Sequence, residues 1–102
     1  MRYKCVTLWH KTDKNSYKRI LFEHAYVIKT KKDNIQAHEQ SENNSMRIRL
    51  FCISKCDIDV GDYVCVGYDV SDVPPRDAFV ITALRENFDV SLRLRHYKLD
   101  CI

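Results

Sequence analysis

The chain has 102 residues, 45% of them hydrophobic, with two glycines and two prolines, which fits one domain and excludes a low-complexity chain. Its 17 basic residues face 14 acidic ones, a net +3. That is less basic than the clustered face of a dedicated duplex-binding domain. No apolar run is long enough to span a membrane, and "MRYKCVTLWHKTDK" carries no apolar signal-peptide core. The expectation is a single domain over residues 1–102 with no membrane segment.

"YKCVTLWH" places Tyr3, Cys5 and Thr7 on one side and Val6 and Leu8 on the other, a strand with both faces partly covered. "TDKNS" breaks it. Tyr17 to Thr30 is rich in β-branched and aromatic residues and predicts a long strand or a bent pair. Then comes a stretch that can bury almost nothing: from Thr30 to Ser45 only Ile35 and Ala37 are apolar. A polar segment of that length inside a compact domain is unusual unless it works or is unstructured.

"MRIRLFCI" alternates, with Met46, Ile48, Leu50 and Cys52 inward and Arg47 and Arg49 outward. Val60-Gly61-Asp62 reads as a tight turn in which Gly61 takes a positive φ. "YVCVGYDV" is apolar on both faces and reads as a central strand. Gly67 within it points to a bulge or a close backbone approach. "SDVPPRD" is a loop, "AFVITAL" a strand, and "REN" a turn. "VSLRLRHYKL" closes the chain, with Val90, Leu92 and Leu94 inward, Arg93 and Arg95 outward, and a bulge near His96 where the apolar phase shifts to Tyr97 and Leu99. The sum is an all-β domain, a small barrel or sandwich of about six antiparallel strands with one long polar loop at about 30–45.

Chemistry is poorly represented. No nucleophile-elbow, P-loop or H-E-x-x-H motif occurs, so the chain reads as no enzyme and needs no cofactor. Five cysteines with no C-x-x-C pair and four scattered histidines give no metal-ligand spacing. The odd count fits reduced thiols, with Cys52, Cys65 and Cys5 expected on inward faces. The arginines leave two readings open. If their strands were neighbours, Arg47, Arg49, Arg93 and Arg95 would share a surface able to meet phosphates or a partner's carboxylates. Otherwise they are solvated charges that discourage edge pairing.

"DIDVGDYVCVGYDVSD", "FVITALREN" and the closing "LRLRHYKL", with the opening "YKCVTLWHKTDKNSYKRILFEHAYV", resemble a family of small bacteriophage and prophage minor capsid or head–tail connector proteins. The resemblance covers most of the chain and is weakest in the polar stretch. It implies a structural subunit of the virion neck, assembled in the host bacterial cytoplasm. Such a head-completion or stopper protein forms a homo-oligomeric ring between the portal or adaptor protein and the tail terminator or tail tube proteins. The ring closes the DNA channel, touches packaged DNA transiently and offers a docking surface to the tail.

The polar loop, with Lys31, Lys32, Asp33, Asn34, Gln36, His38, Glu39, Gln40 and Glu42, would then gate the channel or order on a neighbouring subunit. Without a ring it is a plain surface hairpin. Exposed strand edges would be free to pair with neighbours. Arg95, His96, Tyr97 and Lys98 match the family's C-terminal motif and would serve fold closure or subunit contact. Gly61, Asp62 and Gly67 are expected to be critical to the fold. The alternative is a nucleic-acid-binding barrel of the OB or SH3-like kind.

Overall fold

A computed structural model describes residues 3–31 and 44–102. Its strands are β1 (Lys4–Asp13), β2 (Ser16–Lys31), β3 (Asn44–Phe51), β4 (Tyr63–Val66), β5 (Phe79–Asn87) and β6 (His96–Cys101). All pairings are antiparallel, and the order β1-β2-β3-β6-β5-β4 closes on itself as a barrel. The all-β expectation holds, and the choice between barrel and sandwich falls to the barrel.

β2 can serve two neighbours because it bends. Glu23 and His24 together face the single Cys5, between the pairs Lys4↔Ala25 and Val6↔Phe22. An extra residue on one strand kinks it and raises its twist. Before the bulge β2 pairs with β1, and from Ala25 onward it pairs with β3. The expected long strand and the expected bend are therefore the same element. β2 and β3 also run further than the sequence indicates, since Thr30 pairs with Ser45 and Lys31 with Asn44. The polar loop loses those four residues to the sheet.

Period-2 alternation fills the interior in cross-strand layers. Val27, Ile48, Leu99 and Leu84 lie in one register row, and Ala25, Leu50 and Tyr97 in the next. Val6 and Leu8 of β1 face Val66 and Val64 of β4. Val6, Leu8, Ile48, Leu50, Val64, Ile81 and Leu99 are fully buried. Each such aliphatic side chain stabilises the fold by about 1.5–3 kcal/mol relative to exposure. A barrel this small is filled by its own side chains.

The weakest seam, β4–β5, is reinforced by the loop before β4, and the chain end after β6 extends the β5–β6 pairing. β4 meets β5 through only Tyr63↔Val80 and Val64↔Phe79. Beyond them, Gly61 N donates to Ile81 O (2.8 Å) and Ile81 N to Asp62 O (2.9 Å). Val80 and Ile102 exchange two further backbone bonds, at 3.0 and 2.9 Å.

Several expectations need correction. "REN" does not turn; Arg85, Glu86 and Asn87 continue β5 beside Lys98, Tyr97 and His96. Residues 92–94 form a single 3-10 turn with no buried residue, so Val90, Leu92 and Leu94 do not point inward and Arg93 and Arg95 are not strand residues. The phase shift at His96 is the start of β6 after that turn, and no bulge is needed. Gly67 follows the last residue of β4. Its φ is +112°, and a Cβ there would meet nothing within 4 Å. It is needed for the turn of the backbone, not for a close approach.

Candidate functional site

The β4–β5 segment, residues 67–78, lies as a flap on the outer face of β1. It starts at Gly67, whose N–H donates to Cys5 O (2.8 Å). Thr7 Oγ1 donates to Gly67 O (2.7 Å) and accepts from Asp69 N (3.1 Å). Trp9 Nε1 donates to Ser71 O (2.9 Å), and Arg19 Nη1 donates to Val70 O (2.6 Å). This cover explains why four consecutive residues of β1, Val6 to Trp9, are all buried. A half-covered strand would bury only every second one.

The flap itself is apolar and acidic. Tyr68, Val70 and Val73 are 66%, 62% and 54% exposed. Asp69, Asp72 and Asp77 stand against the lone Arg76. Hydrogen bonds from Ser71 hold the Asp69 carboxyl below its ordinary range. Cys65 lies beneath, in register with Thr7 on the outer face, while Val64 and Val66 fill the core. This corrects its inward placement. Burial pushes its thiol up, with the charges of Asp69 and Asp77 adding to the effect.

The opposite wall is basic. On the outer faces of β2, β3, β6 and β5, Tyr26, Arg49, Lys98 and Arg85 stand in one direct register row. Directly opposed residues sit about 5 Å apart, and like charges so placed repel. Among the described residues none of these three cations is in an ion pair. In the adjacent row Arg47 Nε lies 3.4 Å from Asp100 Oδ1. That oxygen is buried and accepts no hydrogen bond. A cleft of about 170 Å³ runs among Arg47, Arg85, Lys98 and Asp100.

Arg47 and Arg49 therefore do have basic neighbours, but Lys98 and Arg85 take the place expected for Arg93 and Arg95. Arg95 is a staple: its Nη1 donates to Ile53 O (3.3 Å), its Nε to Val90 O (3.5 Å), and its guanidinium lies over the Phe88 ring. Arg93 is exposed on the 3-10 turn. His96 packs beside Phe51 and bonds Leu94 O through Nδ1 (2.8 Å). These contacts lie within the fold, on the segment that leads into β6.

Asp62 ties the β3–β4 segment to β1. One carboxylate oxygen accepts from Asp59 N (2.8 Å) and His10 Nδ1 (2.8 Å), and the other from Lys11 N (3.3 Å). A carboxylate only accepts, so His10 carries its proton on Nδ1. Asp62 N closes the turn on Asp59 O (3.1 Å), with Gly61 at φ +99°. His10 and the reach of Asp62 are what the sequence reading of this turn omitted. The signal was the burial of an Asp next to Gly, visible only once the strands are placed.

Lys31 is the last residue of β2; Lys32, Asp33, Asn34, Gln36, His38, Glu39, Gln40 and Glu42 lie outside the described residues. Every strand has two neighbours in the barrel, so the exposed edges expected from the sequence are confined to stretches such as the end of β5 beyond its pairing with β4. Cys101, not Cys5 or Cys65, is the fully buried thiol, pushed up to about 12 by burial, with Asp100 nearby. Cys52 packs against the core and is pushed up to about 11, by burial first and Cys56 second. Among the described residues no three His, Cys, Asp or Glu side chains gather as a metal site requires.

Fold and surfaces together define a closed six-stranded antiparallel barrel with an acidic apolar flap and a basic wall. No family model, no curated protein and no solved structure matches the chain.

Proposed function

We propose that this chain is a structural subunit of the neck of a tailed bacteriophage, a head-completion or stopper protein that assembles as a ring between portal or adaptor and tail. What supports the reading is the sequence resemblance together with one structural observation. A barrel in which every strand has two neighbours still leaves large side-chain surfaces of opposite character uncovered. Such a molecule is built to be contacted through its walls and loops. The polar segment joins the end of β2 to the start of β3, and a ring would gather its copies round one axis or lay them on a neighbouring protein.

Cryo-electron microscopy of the particle encoded by the gene's neighbourhood tests this, with the map focused on the neck. A ring of this chain is the expected result, and its absence from the particle overturns the reading. Segment 32–43 directed into the lumen makes that segment a gate; segment 32–43 lying on another protein makes it a docking element. The row of Arg49, Lys98 and Arg85 favours a second reading, a nucleic-acid-binding barrel. That reading requires the isolated chain to bind single strands with a steep salt dependence.

A further inference from the structure

We infer that copies of this chain associate head to tail, the acidic apolar flap of one seating on the basic wall of the next; this deepens the neck-ring reading and rests on it. Three observations converge.

The first is the wall's charge, unpaired among the described residues. Arg49, Lys98 and Arg85 stand side by side on three adjacent strands with no acidic residue in their row. Protection of a sheet edge cannot be the reason for Arg49 and Lys98, because β3 and β6 are paired on both sides throughout this region. A row of like charges that costs stability in the lone chain is offset where carboxylates approach it.

The second is the flap, which supplies those carboxylates. Asp72 is fully exposed, held only loosely by Arg19 at 3.7 Å. Asp69 and Asp77 lie before and after it on the same flap. Beside them the flap exposes Tyr68, Val70 and Val73, apolar side chains for which a phosphate backbone has no use. The wall has its own apolar flank in Ile28, 43% exposed and in register with Arg47.

The third is placement. The flap rests on β1 and the wall is centred on β6, and round the barrel these are three strands apart in either direction. The two patches cannot meet within one molecule. Complementary patches on opposite sides of a subunit make a heterologous contact, which closes into a ring when the rotation allows and continues as a filament when it does not.

The test is sedimentation of the full chain over a concentration series at low and moderate salt. Two surface variants accompany it, the wall pair Arg49→Glu with Arg85→Glu and the flap pair Asp72→Lys with Asp77→Lys. Thermal melts of both variants keep loss of folding apart from loss of contact. The wild type is expected to associate weakly, past the dimer, and less so as salt screens the contact. Each variant alone should associate about tenfold or more weakly, since its two patches now share one sign. An equimolar mixture of the two should recover association, because reversed wall then meets reversed flap.

Variants that associate like the wild type, or a mixture that stays monomeric, overturn the contact. So does a wild type that remains monomeric yet binds a mixed-sequence oligonucleotide through the wall, which would make the row a nucleic-acid surface. None of these failures touches the neck reading, which stands or falls on finding the chain in the particle.

Discussion

Asp62 concentrates more backbone control in one side chain than any other residue of the β3–β4 segment. It satisfies two main-chain donors and a histidine from a nearly buried position. Asp62→Ala would leave those donors unpaired and release the entry to β4. Removing buried, charge-assisted hydrogen bonds of this kind costs about 3 kcal/mol. For a domain of this size that lowers the melting temperature by roughly 10–20 °C. Calorimetry reads it directly, and a melt within a few degrees of the wild type would show that the turn is held by Gly61 alone. Gly61 itself sits at φ +99°, where a side chain is strained whatever space surrounds it.

At the level of elements, the flap is a loop held on a strand by few contacts. Thr7 Oγ1 both donates to Gly67 O and accepts from Asp69 N, so Thr7→Val keeps the shape and removes both bonds. The flap should loosen while the barrel persists: hydrogen exchange speeds up at 68–77 and Trp9 fluorescence shifts to the red as its cover lifts. Equal acceleration in β3 and β6 would mean that the flap and barrel open together.

The strands show what was legible and what was not. Met46, Ile48 and Leu50 alternate with two arginines, and that period alone fixes which face is core. "LRLR" has the same period and is no strand: its backbone closes a 3-10 turn, and the Arg95 side chain reaches Ile53 O, Val90 O and the Phe88 ring. The consecutive burial of Val6 to Trp9 is partly legible, as apolar residues on both faces. The flap that causes it is not, since "SDVPPRD" carries turn chemistry and no hint of what it covers. The basic row was half visible: Arg49 is evident, but its partnership with Lys98 and Arg85 depends on β6 lying between β3 and β5, an order no local pattern encodes.

For the whole molecule, the buried thiols set an alkaline limit. The Cys101 thiol is raised from 9.0 to about 12 by burial, and Tyr97 is raised as well, again chiefly by burial. A group raised in this way stabilises the fold fully below its unfolded value, and the contribution is lost as pH climbs toward the folded value. Between those limits the unfolded chain has already given up the proton and the native one has not, so stability must fall. Urea midpoints should hold steady from about pH 7 to 9 and decline above it. Cys101→Ala should flatten the decline. A midpoint that held to about pH 11 would show that these thiols are not buried as described.

The barrel's order has a consequence for biosynthesis. β6 lies between β3 and β5 in the sheet, yet of these six strands it is made last. Until it emerges, β3 and β5 each present a naked edge, and the layers built on Leu99 and Tyr97 have no centre. The first two strands can meet as a hairpin while translation continues, but closure waits for β6. A ribosome that stalls after β5 therefore leaves an open, sticky sheet, the kind of species that chaperones capture and proteases remove.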